Sequence, residues 1–140
     1  MNPFHSTRED DTEALARSLA EAAQPGEAYC LSGPLGAGKS VFARGFIRAL
    51  CGQDTDVPSP TFTLVQTYDG RTGTIAHFDL YRLEDPEEVL ELDWDDAMAG
   101  SICLIEWPDK AGGFLPQRRI DVVFEPGEDE SRIITVTRHA

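Results

Sequence analysis

The sequence has no long hydrophobic run, and its apolar stretches fall far short of the roughly 20 residues needed to cross a bilayer. Its opening, MNPFHSTREDD, places acids where an export signal would carry an apolar segment, so neither a membrane span nor a leader is expected. Basic residues are scarce: 12 Lys and Arg face 25 Asp and Glu, a formal net charge of −13. Such a chain repels phosphate backbones, and no basic face of the kind nucleic-acid binders carry is evident. The acidity reads either as a docking face for a basic partner or as a solubility device. Cysteine is sparse as well. Cys30, Cys51 and Cys103 are odd in number and show no C-x-x-C spacing, which favours small buried hydrophobes over a redox or metal role. His5, His77 and His139 are too scattered to suggest a metal cluster.

What is present is an ordinary globular composition, 41% apolar and 26% charged, without repeats or low-complexity tracts. One domain spanning residues 1–140 is expected, long enough to bury a core without staples. Ser6-Thr7-Arg8-Glu9 has capping-box spacing, and Leu15, Ala16, Leu19, Ala22 and Ala23 then recur at helical intervals until Pro25-Gly26. Ala28 to Leu31 is a short apolar run, and Lys39 to Leu50 is again helical, with Gly52 as its terminator.

Pro58-Ser59-Pro60 marks an extended passage. Strands are expected over residues 61–68 and 74–78, joined by the turn-rich 69–73. Residues 86–99 are acidic and helix-favouring, with a break near Leu92-Asp93. Ile102 to Ile105 reads as a strand buried on both faces. Residues 120–124 and 133–137 read as a closing hairpin around Pro126-Gly127. Early strand–helix alternation and late hairpins together predict an α/β fold. The expected architecture is a P-loop NTPase-like three-layer sandwich with a mixed, centrally parallel sheet.

Between the first buried strand and the second helix lies LSGPLGAGKSVF, which fits G-x-x-x-x-G-K-[ST]. Glycines let backbone N–H groups turn toward an anion without Cβ clashes, and the following helix adds a partial positive charge at its N-terminus. The expected cradle comprises Gly33, Pro34, Leu35, Gly36, Ala37, Gly38, Lys39, Ser40 and Val41. In it Lys39 would bridge the outer phosphates and the Ser40 hydroxyl would ligate Mg²⁺. Such a site also needs a carboxylate at a strand end. Glu106 ends Ile102-Cys103-Leu104-Ile105, in a buried setting that favours a metal role. Asp79 ends Ile75-Ala76-His77-Phe78 and reads equally as a helix cap. Thr61 and Thr63 read either as sensors of a terminal phosphate or as β-branched residues starting a strand. Trp107 reads as core or as a stacking surface.

In order, GPLGAGKS, VPSPTFTLVQTY, HFDLYRLEDPEE and ICLIEWPDK lie within residues 33–110. Together they resemble the TsaE family, P-loop ATPases of bacterial tRNA threonylcarbamoyladenosine biosynthesis, with the likeness running from about Thr12 to at least Pro116. The resemblance implies a cytoplasmic protein that binds ATP or ADP with Mg²⁺. It implies partners, TsaD and TsaB, which transfer the threonylcarbamoyl group to adenosine 37 of tRNAs reading ANN codons. ATP hydrolysis here would reset or activate that complex, and the RNA would rest on the partner chains. Carried over by position, Ser40 and Glu106 are the Mg²⁺ ligands, Asp79 is an active-site acid, Thr61 is the switch threonine, and Thr12 lies near the adenine. The sequence departs from the family in having Ser40 where Thr is usual. VLELDWDDAMAG also lacks the glycine often found after the DPEE helix, and the tail beyond Phe124 matches only loosely.

Three other classes share a phosphate cradle, one of them a nucleotide-binding module without turnover, since slow P-loop ATPases need a partner to complete the site. A small kinase would need an acceptor pocket and usually an arginine-bearing lid, for which 140 residues leave little room. For a regulatory GTPase, Asp109-Lys110-Ala111-Gly112 fits D-x-x-G. Guanine readers, however, generally use N-K-x-D, and the only asparagine is Asn2.

Overall fold

Strands from both halves of the chain enter one mixed sheet in the computed structural model, which describes residues 3–58, 60 and 64–139. The strands among the described residues are β1 (Phe4–Ser6), β2 (Ala28–Ser32), β3 (Val65–Gly70), β4 (Gly73–Asp79), β5 (Ile102–Glu106), β6 (Arg119–Pro126) and β7 (Arg132–His139). Helices α1 (Glu9–Ala22), α2 (Lys39–Cys51) and α3 (Trp94–Gly100) accompany them, with 3₁₀ turns at Pro86–Leu92 and Pro108–Phe114. The sheet order is β1-β7-β6-β2-β5-β4-β3. Its four central strands, β6, β2, β5 and β4, are parallel, and antiparallel pairs close both edges.

Strand periodicity builds the layers. Tyr29 and Leu31 point to one side, with Ile75, Leu104, Val122 and Phe124, and pack beneath α1 and α2. Ala28 and Cys30 point to the other, with Ala76, Phe78, Cys103 and Ile105, beneath α3 and the 3₁₀ turns. Phe42 and Phe46 of α2 are wholly buried, each contributing about 2 kcal/mol. Phe42 meets Phe124 edge-on at 5.8 Å between centroids. Cys30 and Cys103 are the small buried residues expected; burial pushes both thiols up to about 12. Cys51 is only half-buried.

Most elements stand where the residue pattern places them. α2 ends with Gly52 capping it, and the acidic segment breaks at Asp93, whose left-handed φ of 55° separates the 3₁₀ turn from α3. β5 is buried along its whole length, and the C-terminal hairpin pairs Phe124 with Ile134. The expected strand over residues 61–68 is observed from Val65; Leu64, with a left-handed φ of 68°, turns before it, and residues 61–63 lie outside those described.

The expected capping box at Ser6 is not formed. Ser6 instead ends β1, opposite Arg132 of β7, and α1 begins at Glu9 with Arg8 as an N-cap lacking a side-chain bond. Asp11 takes over: its carboxylate accepts hydrogen bonds from the Thr7 amide and hydroxyl, each 3.0 Å. Those bonds hold its carboxyl below the usual carboxylate range. A three-residue strand carries too little pattern to compete with a cap signal, and only its partner β7 makes it a strand. No helix among the described residues is long and apolar enough to cross a membrane.

Candidate functional site

The glycine loop leaves β2 at its carboxyl end and enters α2, so it lies where β4 and β5 also finish. Ligands of open α/β sheets bind at these strand ends. Gly36 and Gly38 take positive φ, 77° and 106°, turning the chain as a nest of amides requires. Gly33 serves close approach: a Cβ there would come within 2.7 Å of the Phe124 carbonyl oxygen in β6. The Ala37 amide donates to the Pro34 carbonyl at 3.2 Å, tightening the turn.

Pairing in the parallel sheet places Asp79 directly beside Glu106. Alternation along β4 then turns His77 to the same face as Asp79, the face covered by α2. All three are buried, as is Lys39. His77 Nε2 and Glu106 Oε2 lie 2.7 Å apart, while His77 Nδ1 is buried without a partner. That orphan selects the tautomer. With its proton on Nε2 the ring donates to the carboxylate and leaves only an unfilled lone pair, which costs less than a stranded N–H. Asp79 does not cap a helix. Its Oδ1 accepts from the Tyr81 amide at 3.1 Å, and the nearest helical segment is capped by Asp85 in a reciprocal capping box with Glu88.

Lys39 Nζ donates to the Gly33 carbonyl at 2.6 Å and stands 3.3 Å from the centre of the Trp107 ring. Burial holds its ammonium below the usual lysine range, against the opposing pull of Glu106, Asp79 and Asp109. Trp107 is therefore neither plain core nor a surface stack. It adopts a left-handed φ of 59° immediately after β5, packs on Tyr81 at 5.0 Å, and covers the lysine as a cation–π partner.

A cleft of about 810 Å³ opens over these groups. Leu35, Gly36, Gly38, Lys39, Ser40 and Val41 of the expected cradle line it; Gly33, Pro34 and Ala37 support the loop from behind. Asp79 and Glu106 form its floor and Thr12 its α1 side, the Thr12 hydroxyl 2.7 Å from that of Ser6. Thr61 and Thr63 lie outside the described residues. Residue-pattern reasoning missed His77, Tyr81 and Arg132. His77 carried a usable signal, since it stands two residues before Asp79 on one strand. Arg132 carried none: it reaches the loop across 95 positions of sequence.

The sheet order, the loop between β2 and α2, and the charged floor define an α/β protein of the P-loop NTPase-like kind, with its cleft at the strand ends. The family model described as "Threonylcarbamoyl adenosine biosynthesis protein TsaE" matches residues 6–134, and the chain belongs to that family. It is similar to the tRNA threonylcarbamoyladenosine biosynthesis protein TsaE of Rickettsia conorii, at 41% identity over 94% of this chain and 75% of that one. The protein of the same name from Bacillus subtilis is 37% identical over 96% of this chain and 84% of its own. The crystal structure of Bacillus subtilis YdiB superposes with a TM-score of 0.81 at 31% identity, covering 99% of this chain and 86% of that one.

Proposed function

We propose that this chain binds and hydrolyses ATP with Mg²⁺ in the service of threonylcarbamoyladenosine formation at adenosine 37 of tRNAs reading ANN codons. It would act with TsaD and TsaB and would not transfer the group itself. The observation carrying the reading is the convergence of Lys39, Asp79 and Glu106 on one glycine loop, although they come from three separate stretches of chain. Membership of the TsaE family supplies the pathway.

In this reading the loop amides and the N-terminus of α2 attract the phosphates. Lys39 exchanges its contact with the Gly33 carbonyl for phosphate oxygens, and the Trp107 face keeps its ammonium dry and aligned. The donor chemistry suits Mg²⁺: hard oxygens, with two buried carboxylates and the Ser40 hydroxyl lining one cleft. Ser40 and Glu106 would hold the ion, which when bound neutralises charge developing on the transferred phosphoryl group. His77 fixes the rotamer of Glu106 through the 2.7 Å contact, and the Tyr81 amide fixes Asp79. Adenine would lie toward Thr12.

A net charge of −13 argues for RNA being held by the partner chains. The test is phosphate release from Mg·ATP by the purified chain, with and without TsaB and TsaD. Slow turnover alone and faster turnover in the mixture are expected. No release in either setting, together with no heat on titrating ATP into the folded protein, would overturn the proposal. Filter binding should find no salt-sensitive tRNA affinity in the isolated chain.

A further inference from the structure

Arg132 opens β7, opposite Pro126 of β6 and Ser6 of β1, at the rim of the cleft. The preceding turn is crowded with acids, Glu128, Asp129 and Glu130, yet no carboxylate among the described residues lies within ion-pair distance of its guanidinium. Among the described residues, its hydrogen bonds all go to main-chain carbonyls. Nη1 donates to Glu130 at 2.6 Å and to Ser131 at 3.3 Å, within its own turn. Nη2 donates to Gly36 at 2.9 Å and Nε to Ala37 at 3.1 Å, both in the glycine loop. A planar fork thus ties the apex of the loop to the C-terminal hairpin.

Peptide planarity gives this tie a consequence. A carbonyl and the amide that follows it point in opposite directions, so fixing the carbonyl of residue 36 fixes the N–H of Ala37, and fixing that of residue 37 aims the N–H of Gly38. The Ala37 amide closes the turn onto Pro34, and the Gly38 amide is directed away from the hairpin. Flanked by positive-φ glycines, this short segment has little stiffness of its own. The guanidinium also offsets two carbonyl dipoles that would otherwise repel an anion.

We infer that Arg132 is a positioning residue for the phosphate loop and that it couples nucleotide binding to order in the β6–β7 turn. The nucleotide half of this inference rests on the function proposed above. Coupling is reciprocal, so a nucleotide that holds the loop in one geometry also protects the turn.

The experiment compares the full chain with Arg132→Ala and Arg132→Lys by calorimetric titration of Mg·ADP, steady-state ATP turnover, and amide hydrogen exchange with and without nucleotide. Arg132→Ala should weaken ADP roughly tenfold, as expected for losing two charge-assisted bonds at a half-exposed site. The loss in turnover should fall on KM more than on kcat. Lys keeps the charge but cannot fork onto two carbonyls, so Arg132→Lys should recover only a minor part. In the full chain ADP should slow exchange across residues 127–133, and in Arg132→Ala it should not. Equal ADP affinity in Arg132→Ala, or full recovery by Arg132→Lys, would overturn the inference. Should the unaltered chain bind no nucleotide, the function proposal fails, and the tie is judged on exchange without ligand. Amides of residues 37–39 must then exchange faster in Arg132→Ala, and unchanged rates would overturn it.

Discussion

At the carboxyl ends of β2, β4 and β5, Lys39, His77, Asp79 and Glu106 are each at most 6% exposed. At the opposite end of the central strands, ionisable groups are as numerous but sit in pairs at the surface, each partly open to water. There Glu27 meets Arg138 at 2.8 Å with the arginine side chain 57% exposed, and Asp121 is shared by Arg119 and His139. The two ends differ in what their charges are for. Exposed pairs satisfy one another at almost no net gain. Buried charges cost free energy unless matched, and at the loop end the matching is incomplete: Lys39 is held below its usual range by burial despite three neighbouring acids, and the His77 Nδ1 is orphaned. A fold keeps such an arrangement when a ligand completes it.

The largest expected effect follows directly. Lys39→Ala should reduce ATP hydrolysis by at least about 100-fold, the scale for removing one preorganised donor to a developing charge. It should cost only about 1 kcal/mol of stability, because the ammonium gives up a burial penalty as well as its contacts. Phosphate release and a urea unfolding curve measure the two quantities. Undiminished turnover would erase the contrast between the ends of the sheet.

Glu106→Gln sharpens the same contrast at one atom. The amide keeps the size and can still meet His77, but it brings no negative charge to a metal site. Mg²⁺-dependent turnover should fall about 10-fold or more, while nucleotide binding in EDTA should change by less than about threefold. Parallel losses in both assays would count against Glu106 as a ligand of the proposed Mg²⁺.

How much of this was legible beforehand depends on whether the signal is local. The strand–loop–helix unit from Ala28 to Cys51 is written in consecutive residues: an apolar run, glycines, then a 3.6-residue period. The break at Asp93 and the buried β5 were legible for the same reason. The Glu106 position could be read because a carboxylate ends a fully apolar strand. Its partner could not, since the contact between His77 and Glu106 exists only through the register of β4 on β5, 29 residues apart. Ser6 misled because Ser-x-x-Glu spacing is also compatible with an edge strand followed by a helix. What made it a strand was β7, more than 120 residues later.

The smallest expected effect comes from the exposed end. Arg138→Ala removes the partner of Glu27, whose carboxyl is held below its usual range. There burial, which would raise it, is outweighed by hydrogen bonds from Arg138 and the Gln24 amide. Because the arginine is mostly in solvent, the expected loss is under about 1 kcal/mol, shrinking further in high salt. A depressed carboxylate adds stability above its unfolded-state value near 4.5 and loses it as pH falls through the folded-state value. The difference between Arg138→Ala and the parent chain should therefore be full at neutral pH and vanish in acid, as urea unfolding at two pH values can measure. ATP turnover should not move, since this pair lies beyond the sheet from the cleft. A change in turnover matching that of Lys39→Ala would mean that the two ends communicate through the parallel strands, and the division of labour argued from their burial would fail.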